Sequence, residues 1–184
     1  MTQALVVMDM QNGIVARLGE RADELLDTVE RAIAAARDRA MNVIFVRVAF
    51  RPGAPEVSGR NQSFSALKNA MVMDETSDAT QIHPRLALHD GDVLVTKRRV
   101  SAFAGSDLDV VLRSLEVDHL VLAGIATSGV VLSTTRHAAD MDYGLTILKD
   151  ACADTDPEVH RVLLEKVFPR QAAVRTVDEW IAAP

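Results

Sequence analysis

The chain contains a single cysteine, Cys152, among 184 residues. One thiol makes no intrachain disulfide and cannot furnish a cysteine-based zinc site, and such sparing use fits a reducing compartment. No run of about 18 apolar residues occurs, so no segment is expected to span a membrane. The start, Met1-Thr2-Gln3, leads directly into a strand-like segment without a basic region and a long apolar run, so no signal peptide is expected and the protein reads as cytoplasmic. A basic excess is also missing. The net charge is −6, and the densest cationic run is Lys97-Arg98-Arg99. Nucleic-acid binding leaves a basic footprint that this chain lacks. The five histidines, His83, His89, His119, His137 and His160, show no ligand spacing, so neither a metal nor another cofactor is expected.

What is present is ordinary for a globular protein: 48% apolar residues and a length that suits one domain spanning 1–184. Short apolar runs at 4–8, 42–50, 92–96, 119–123, 145–148 and 172–176 read as strands. Between them lie helical patterns at 20–40, 107–115, 128–142 and Val177–Ala182. Another helix opens at Asp156-Pro157, with proline at its first position. Leu25, Leu26, Val29, Ile33 and Ala36 form the apolar face of the first helix. Ser106 is a natural cap for the helix at 107–115, and Ser128 for the helix that follows it. Proline and glycine mark 51–59 as a loop, and a short helix is expected near 65–71. Alternating strands and helices predict an α/β fold with a parallel sheet.

In such sheets, ligands bind beyond the carboxyl ends of the strands. Asp9 closes the first apolar run, Lys97 closes the third, and the turn 124–131 follows the fourth. Each has an ordinary explanation as a turn former, a solvated charge or a turn. If the strands are parallel, however, all three share one edge, where a carboxylate and an ammonium perturb each other and can move protons.

Three segments carry a family resemblance. The run Leu5-Val6-Val7-Met8-Asp9-Met10-Gln11-Asn12-Gly13 resembles the opening of the isochorismatase-like hydrolases, also called cysteine hydrolases. The segment Gly91 to Phe103, with Lys97 followed by Ser101-Ala102-Phe103, resembles their second motif. Ala123-Gly124-Ile125-Ala126-Thr127-Ser128-Gly129-Val130-Val131 resembles their third, and Asp150-Ala151-Cys152-Ala153 their habit after the fifth strand. The resemblance implies a three-layer αβα sandwich with a six-stranded parallel sheet, assembled as a homodimer or larger homo-oligomer. It implies Asp9 as acid/base, Lys97 as its charged partner, and Gln11, Gln81, Arg85 and Arg99 as pocket residues. It also implies a cis Ile125–Ala126 bond, with the N–H groups of Ala126 and Val130 aimed at an oxyanion.

The departures from the family pattern matter as much. The cysteine branch places its nucleophile at the position that Val130 occupies here, and valine has no nucleophilic atom. Cys152 falls elsewhere and reads as a small buried thiol. The metal motif of the nicotinamidase type is missing as well, since Arg47-Val48-Ala49-Phe50-Arg51-Pro52 has no histidine. The isochorismatase branch also lacks the cysteine and hydrolyses a vinyl ether by protonation and water addition. The segment from Lys97 to Phe103 resembles that branch, whereas Ala126-Thr127-Ser128 resembles the cysteine branch. Three readings stay open. One is a hydrolase of a small polar metabolite that uses Asp9 and Lys97 without covalent catalysis, with Arg51, Arg85 or Arg99 binding a carboxylate. Another is an inactive member serving as a binding or regulatory module. The third is an amidase using Ser128, which then belongs among the substrate-contacting residues.

Overall fold

The computed structural model describes residues 1–70 and 73–183, and of residues 67–70 the backbone alone. Six strands, β1 (Gln3–Met8), β2 (Asn42–Val48), β3 (Val93–Lys97), β4 (His119–Ile125), β5 (Gly144–Ala153) and β6 (Ala173–Arg175), form one sheet in the order β3-β2-β1-β4-β5-β6. All five pairings are parallel, as expected for the α/β class.

Side-chain alternation along β1 shows why helices cover both faces. Ala4, Val6 and Met8 enter one core with Leu108 and Leu112 of α4 (Leu108–Ser114) and Val131 and Ala138 around α5 (Leu132–Asp140). Leu5 and Val7 enter the opposite core, with Leu26, Val29, Ile33 and Ala36 of α2 (Ala22–Asp38) and Trp180 of α7 (Val177–Ala182). A strand buried on both faces reads as an unbroken apolar run, which is how β1 appears in the sequence. The remaining helices are α1 (Asn12–Val15), α3 (Gln62–Ala70) and α6 (Pro157–Val162). The helix expected at 65–71 corresponds to α3; Met71 lies outside the described residues.

Some boundaries differ from the expectations for physical reasons. Lys97 belongs to β3 rather than following it. β4 continues through Gly124 to Ile125, because Gly124 packs against β1 where a Cβ would lie 2.7 Å from the Met8 carbonyl oxygen. β5 runs well past Leu148. A register shift between Leu122 and Gly124 lets the strand bypass Lys149 and Asp150 and resume pairing at Cys152. Asp150 is used there, accepting the Val177 N–H at 2.8 Å, next to the Thr176 cap of α7. The helix expected from Ser128 instead begins with a wide turn, Thr127–Val131, and Ser128 is not its cap. At α4 the cap position is Asp107, while Ser106 Oγ accepts the Leu108 N–H at 3.3 Å.

Candidate active site

The chain builds β1, β2 and β3 outward in one direction and then returns to place β4 on the other side of β1. The crevice at the carboxyl ends of β1 and β4 is therefore the topological switch point of the sheet, where open α/β folds bind ligands. Asp9 sits at its floor. Its φ is 57°, a left-handed conformation that aspartate tolerates better than most residues. Its N–H donates to the Val46 carbonyl at 2.8 Å, which fixes the turn against β2.

Lys97 reaches Asp9 from β3, two strands away, a span of roughly 10 Å across the sheet. Its Nζ lies 2.9 Å from Asp9 Oδ2, and both side chains are almost wholly buried. The same ammonium donates to the carbonyls of Arg99 at 3.0 Å and Val100 at 3.1 Å. These three contacts use all three of its N–H groups. Lys97 is thus a fixed holder of the carboxylate, with no donor left for a bound molecule. Asp9 Oδ1 is the opposite: it is buried and has no hydrogen-bond partner among the described residues. Burial raises the Asp9 pKa above the ordinary aspartate value, against the opposing pull of the Lys97 charge and hydrogen bond.

Above this pair lies a cavity of about 270 Å³. Ile14, Leu18, Val48, Phe64, Met73 and Val130 give it a mainly apolar wall, and the exposed residue Arg17 also lines it. Ala126 and Val130 both line it, and the Ile125–Ala126 peptide is cis. Cys152 does not line it. That thiol is buried in β5 and pushed up to about 12 by desolvation, which removes it from thiolate chemistry at neutral pH. Among the described residues no three His, Cys, Asp or Glu side chains converge as a metal site.

Several residues expected at the pocket are used elsewhere. Gln11 is fully buried, and its amide is saturated by backbone: Nε2 donates to the carbonyls of Val48 at 2.9 Å and Thr80 at 2.8 Å, and Oε1 accepts the Val48 N–H at 2.8 Å. It clamps the ends of β1 and β2. Gln81 accepts from Arg47 at 2.9 Å and donates to the carbonyls of Glu75 and Ser77, which orders its own loop. Arg85 is held on the outer side of α2 by Asp27 and Glu30, with Glu30 Oε2 at 2.7 Å. Arg99 donates to the carbonyls of Arg98 and Glu56 and, with Arg51, faces a separate open groove along β3. Ser128 is exposed and off the cavity wall; its N–H donates to Asp154 Oδ2 at 2.7 Å. Gln11, Gln81, Arg85, Arg99, Arg51 and Ser128 are not among the residues that line this cavity. A long guanidinium or amide near a motif bonds whatever the folded chain brings within reach, and spacing along the sequence does not reveal that.

Two residues around the site escaped sequence reasoning. Asp154, just past β5, accepts the N–H groups of Ser128 and Asp156 and replaces the serine cap expected for the turn. Arg17 carries no pattern that separates it from other surface arginines; it reaches the cavity because the chain after α1 continues in a 3₁₀ turn, Ala16–Arg21, beside the crevice.

The doubly covered parallel sheet is shared with known proteins of one class. Residues 3–179 match the family model described as Isochorismatase domain. The chain belongs to the isochorismatase family of hydrolases. It is 35% identical over 185 residues to YecD of Escherichia coli O157:H7, an uncharacterized isochorismatase family protein, with 99% of this chain and 96% of that one covered. It is 29% identical to the ureidoacrylate amidohydrolase RutB of Stutzerimonas stutzeri, covering 98% of this chain and 79% of RutB. Among solved structures, an isochorismatase family protein from Burkholderia thailandensis superposes with a TM-score of 0.84 at 30% identity, covering 97% of this chain and 93% of that chain.

Proposed function

We propose that the protein hydrolyses a small metabolite in the cavity above Asp9, with Asp9 as general acid/base and water as the nucleophile. The observation that carries this reading is Asp9 itself, a residue that lines a ligand-sized cavity and whose Oδ1 is buried with no hydrogen-bond partner among the described residues. Burial keeps Asp9 prone to hold a proton, which suits a general acid. Against a vinyl ether, the protonated carboxyl gives its proton to the terminal carbon. Water then adds to the oxocarbenium-like centre and loses a proton to the carboxylate. The hemiketal collapses to a carbonyl compound and an alcohol, and related C–O or C–N bonds break on the same logic. Lys97 positions Asp9 and balances its charge; with its donors committed, it is not the group that meets negative charge on the substrate. The N–H groups of Ala126 and Val130, beside the cavity, are the candidates for that task. Val130 itself gives no nucleophilic atom, so no covalent intermediate is needed or available at that position. The expectation of a polar metabolite is narrowed by the wall, which favours a compact ligand with a largely apolar body.

The test compares wild type with Asp9→Asn on a panel of vinyl ethers and small amides. Loss of general acid/base catalysis is expected to lower kcat/KM by about 10²–10⁴-fold, with an unchanged far-UV circular dichroism spectrum. If the two proteins are equally inert on the whole panel, the catalytic reading fails. Val130 supports a second reading, a binding module without turnover, which saturable binding by an equally inert wild type would establish.

A further inference from the structure

The wide turn Thr127–Val131 brings Val130 to the cavity wall, and Ala126 precedes it there. Its first two residues are held by side chains from a single stretch of chain after β5. Asp154 accepts the Ser128 N–H at 2.7 Å. Thr127 Oγ1 lies 2.8 Å from His160 Nδ1 on α6. Between these two, Asp156 accepts the N–H groups of Glu158 and Val159 and fixes the start of α6. The Thr127 link has a property that the Asp154 link lacks. Thr127 is fully buried, so its hydroxyl hydrogen needs an acceptor. A neutral imidazole offers one at Nδ1 when its proton sits on Nε2, whereas an imidazolium carries hydrogen on both nitrogens and offers none.

We propose that His160 is a positioning residue that works only as a neutral imidazole: it accepts the Thr127 hydroxyl and holds the start of the turn, and its protonation loosens the turn and sets an acid limit on the site. On protonation a donor faces a donor. The hydroxyl must then rotate to accept, which leaves its hydrogen in a fully buried setting. Burial is the largest influence on His160 and holds its pKa below the ordinary histidine value; the Asp154 charge opposes this and the Arg21 charge reinforces it. Arg21, at the end of the 3₁₀ turn, also donates to the Asp154 carbonyl at 3.2 Å. On the helix of His160 itself, Glu158 is paired with Arg161 at 2.8 Å. His160 is not among the residues lining the cavity, so it acts through the turn. The acid limit rests on the reading of the Ala126 and Val130 N–H groups as those that meet negative charge, whereas the link itself is testable without turnover.

The experiment is a pH titration of the whole chain by NMR, followed by pH–rate profiles. Long-range proton–nitrogen spectra of the His160 ring are expected to show the Nε2–H tautomer at neutral pH and a midpoint below the ordinary histidine value. The backbone amide signals of Gly129 and Val130 are expected to move with that midpoint. In Thr127→Val the ring charge still titrates but the link is gone, so those amides should respond much less. His160→Leu should lower kcat/KM about tenfold, the scale of one hydrogen bond, through kcat rather than KM. His160→Asn, whose Oδ1 is an acceptor that does not titrate, should recover most of that loss and lack the fall on the acid side. If His160→Leu does not fold, His160→Asn alone carries the comparison. The proposal is overturned if the neutral ring carries its proton on Nδ1, if the amide response is as large in Thr127→Val as in wild type, or if His160→Asn keeps the acid fall. The two readings fail separately. Inert wild type and Asp9→Asn remove the catalytic reading, and the NMR outcomes still decide the link. Asp9-dependent turnover with a turn that ignores His160 removes the His160 assignment alone.

Discussion

Two buried aspartates stand at the same edge of the sheet, Asp9 after β1 and Asp154 after β5, 5% and 4% exposed. Burial works to raise the pKa of both. At Asp154 the N–H groups of Ser128, Asp156 and Thr155 outweigh it and hold the carboxyl below the ordinary aspartate value. At Asp9 a single cation touches one oxygen, the other has no partner, and burial prevails. The contrast separates two uses of one residue type. A carboxylate enclosed by backbone donors is a permanent anion that fastens a turn. A carboxylate buried beside a cavity, with one oxygen lacking a partner among the described residues, is a group whose proton is favoured by its surroundings.

The comparison is most severely tested by removing the cation. Lys97→Met leaves Asp9 buried without its counter-charge and the carbonyls of Arg99 and Val100 without their donor. Breaking a buried pair in this way is expected to cost about 3–5 kcal/mol in urea unfolding. A smaller loss would mean that the pair is better hydrated than its geometry implies. Asp154→Ala strips acceptors from the N–H groups of Ser128 and Asp156 and should cost about 1–3 kcal/mol in the same assay, while also disturbing the turn that carries Ala126 and Val130.

The smallest effect distinguishes the two by sign. For Asp154 the folded pKa is depressed, so its stabilisation is present above the unfolded value and is lost as pH falls through the folded pKa. For Asp9 the folded pKa is raised, so the folded state holds the extra proton and stability declines as pH rises from the ordinary aspartate value through the folded one. Acidification from neutrality should therefore narrow the stability gap between wild type and Asp154→Ala. It should shift the difference between wild type and Asp9→Asn in favour of wild type. Unfolding curves at a series of pH values check both, and shifts of the same sign in the two pairs would erase the distinction. The same raised pKa predicts that kcat/KM falls with rising pH as Asp9 loses its proton, a dependence that a pH–rate profile reads directly.

Much of the fold was legible because it rests on local pattern. β1 is an unbroken apolar run, and α2 keeps its apolar residues at helical spacing, so their existence and type follow from periodicity. The second half of β5 was not legible, because Lys149 and Asp150 interrupt the apolar run and only the bulge against β4 carries the strand past them. The cap of the turn after β4 pointed to Ser128 by local rules. The fold supplies Asp154 from another strand end instead.

The sequence by itself placed Asp9 and Lys97 at the ends of two apolar runs, and the parallel pairing of the strands brings both to the carboxyl edge of the sheet. It also placed valine at position 130, which no fold can turn into a nucleophile. Tertiary structure alone decided the rest. Strand order puts β2 between the two residues, so lysine must cross it, and that crossing commits its remaining protons to the Arg99 and Val100 carbonyls. The same packing gives Gln11 to the backbone of β2, Arg85 to α2 and Arg17 to the cavity. Charge and hydrogen bonding act over a few ångströms in space, and for long flexible side chains that distance is set by the packing of the elements, not by position along the chain.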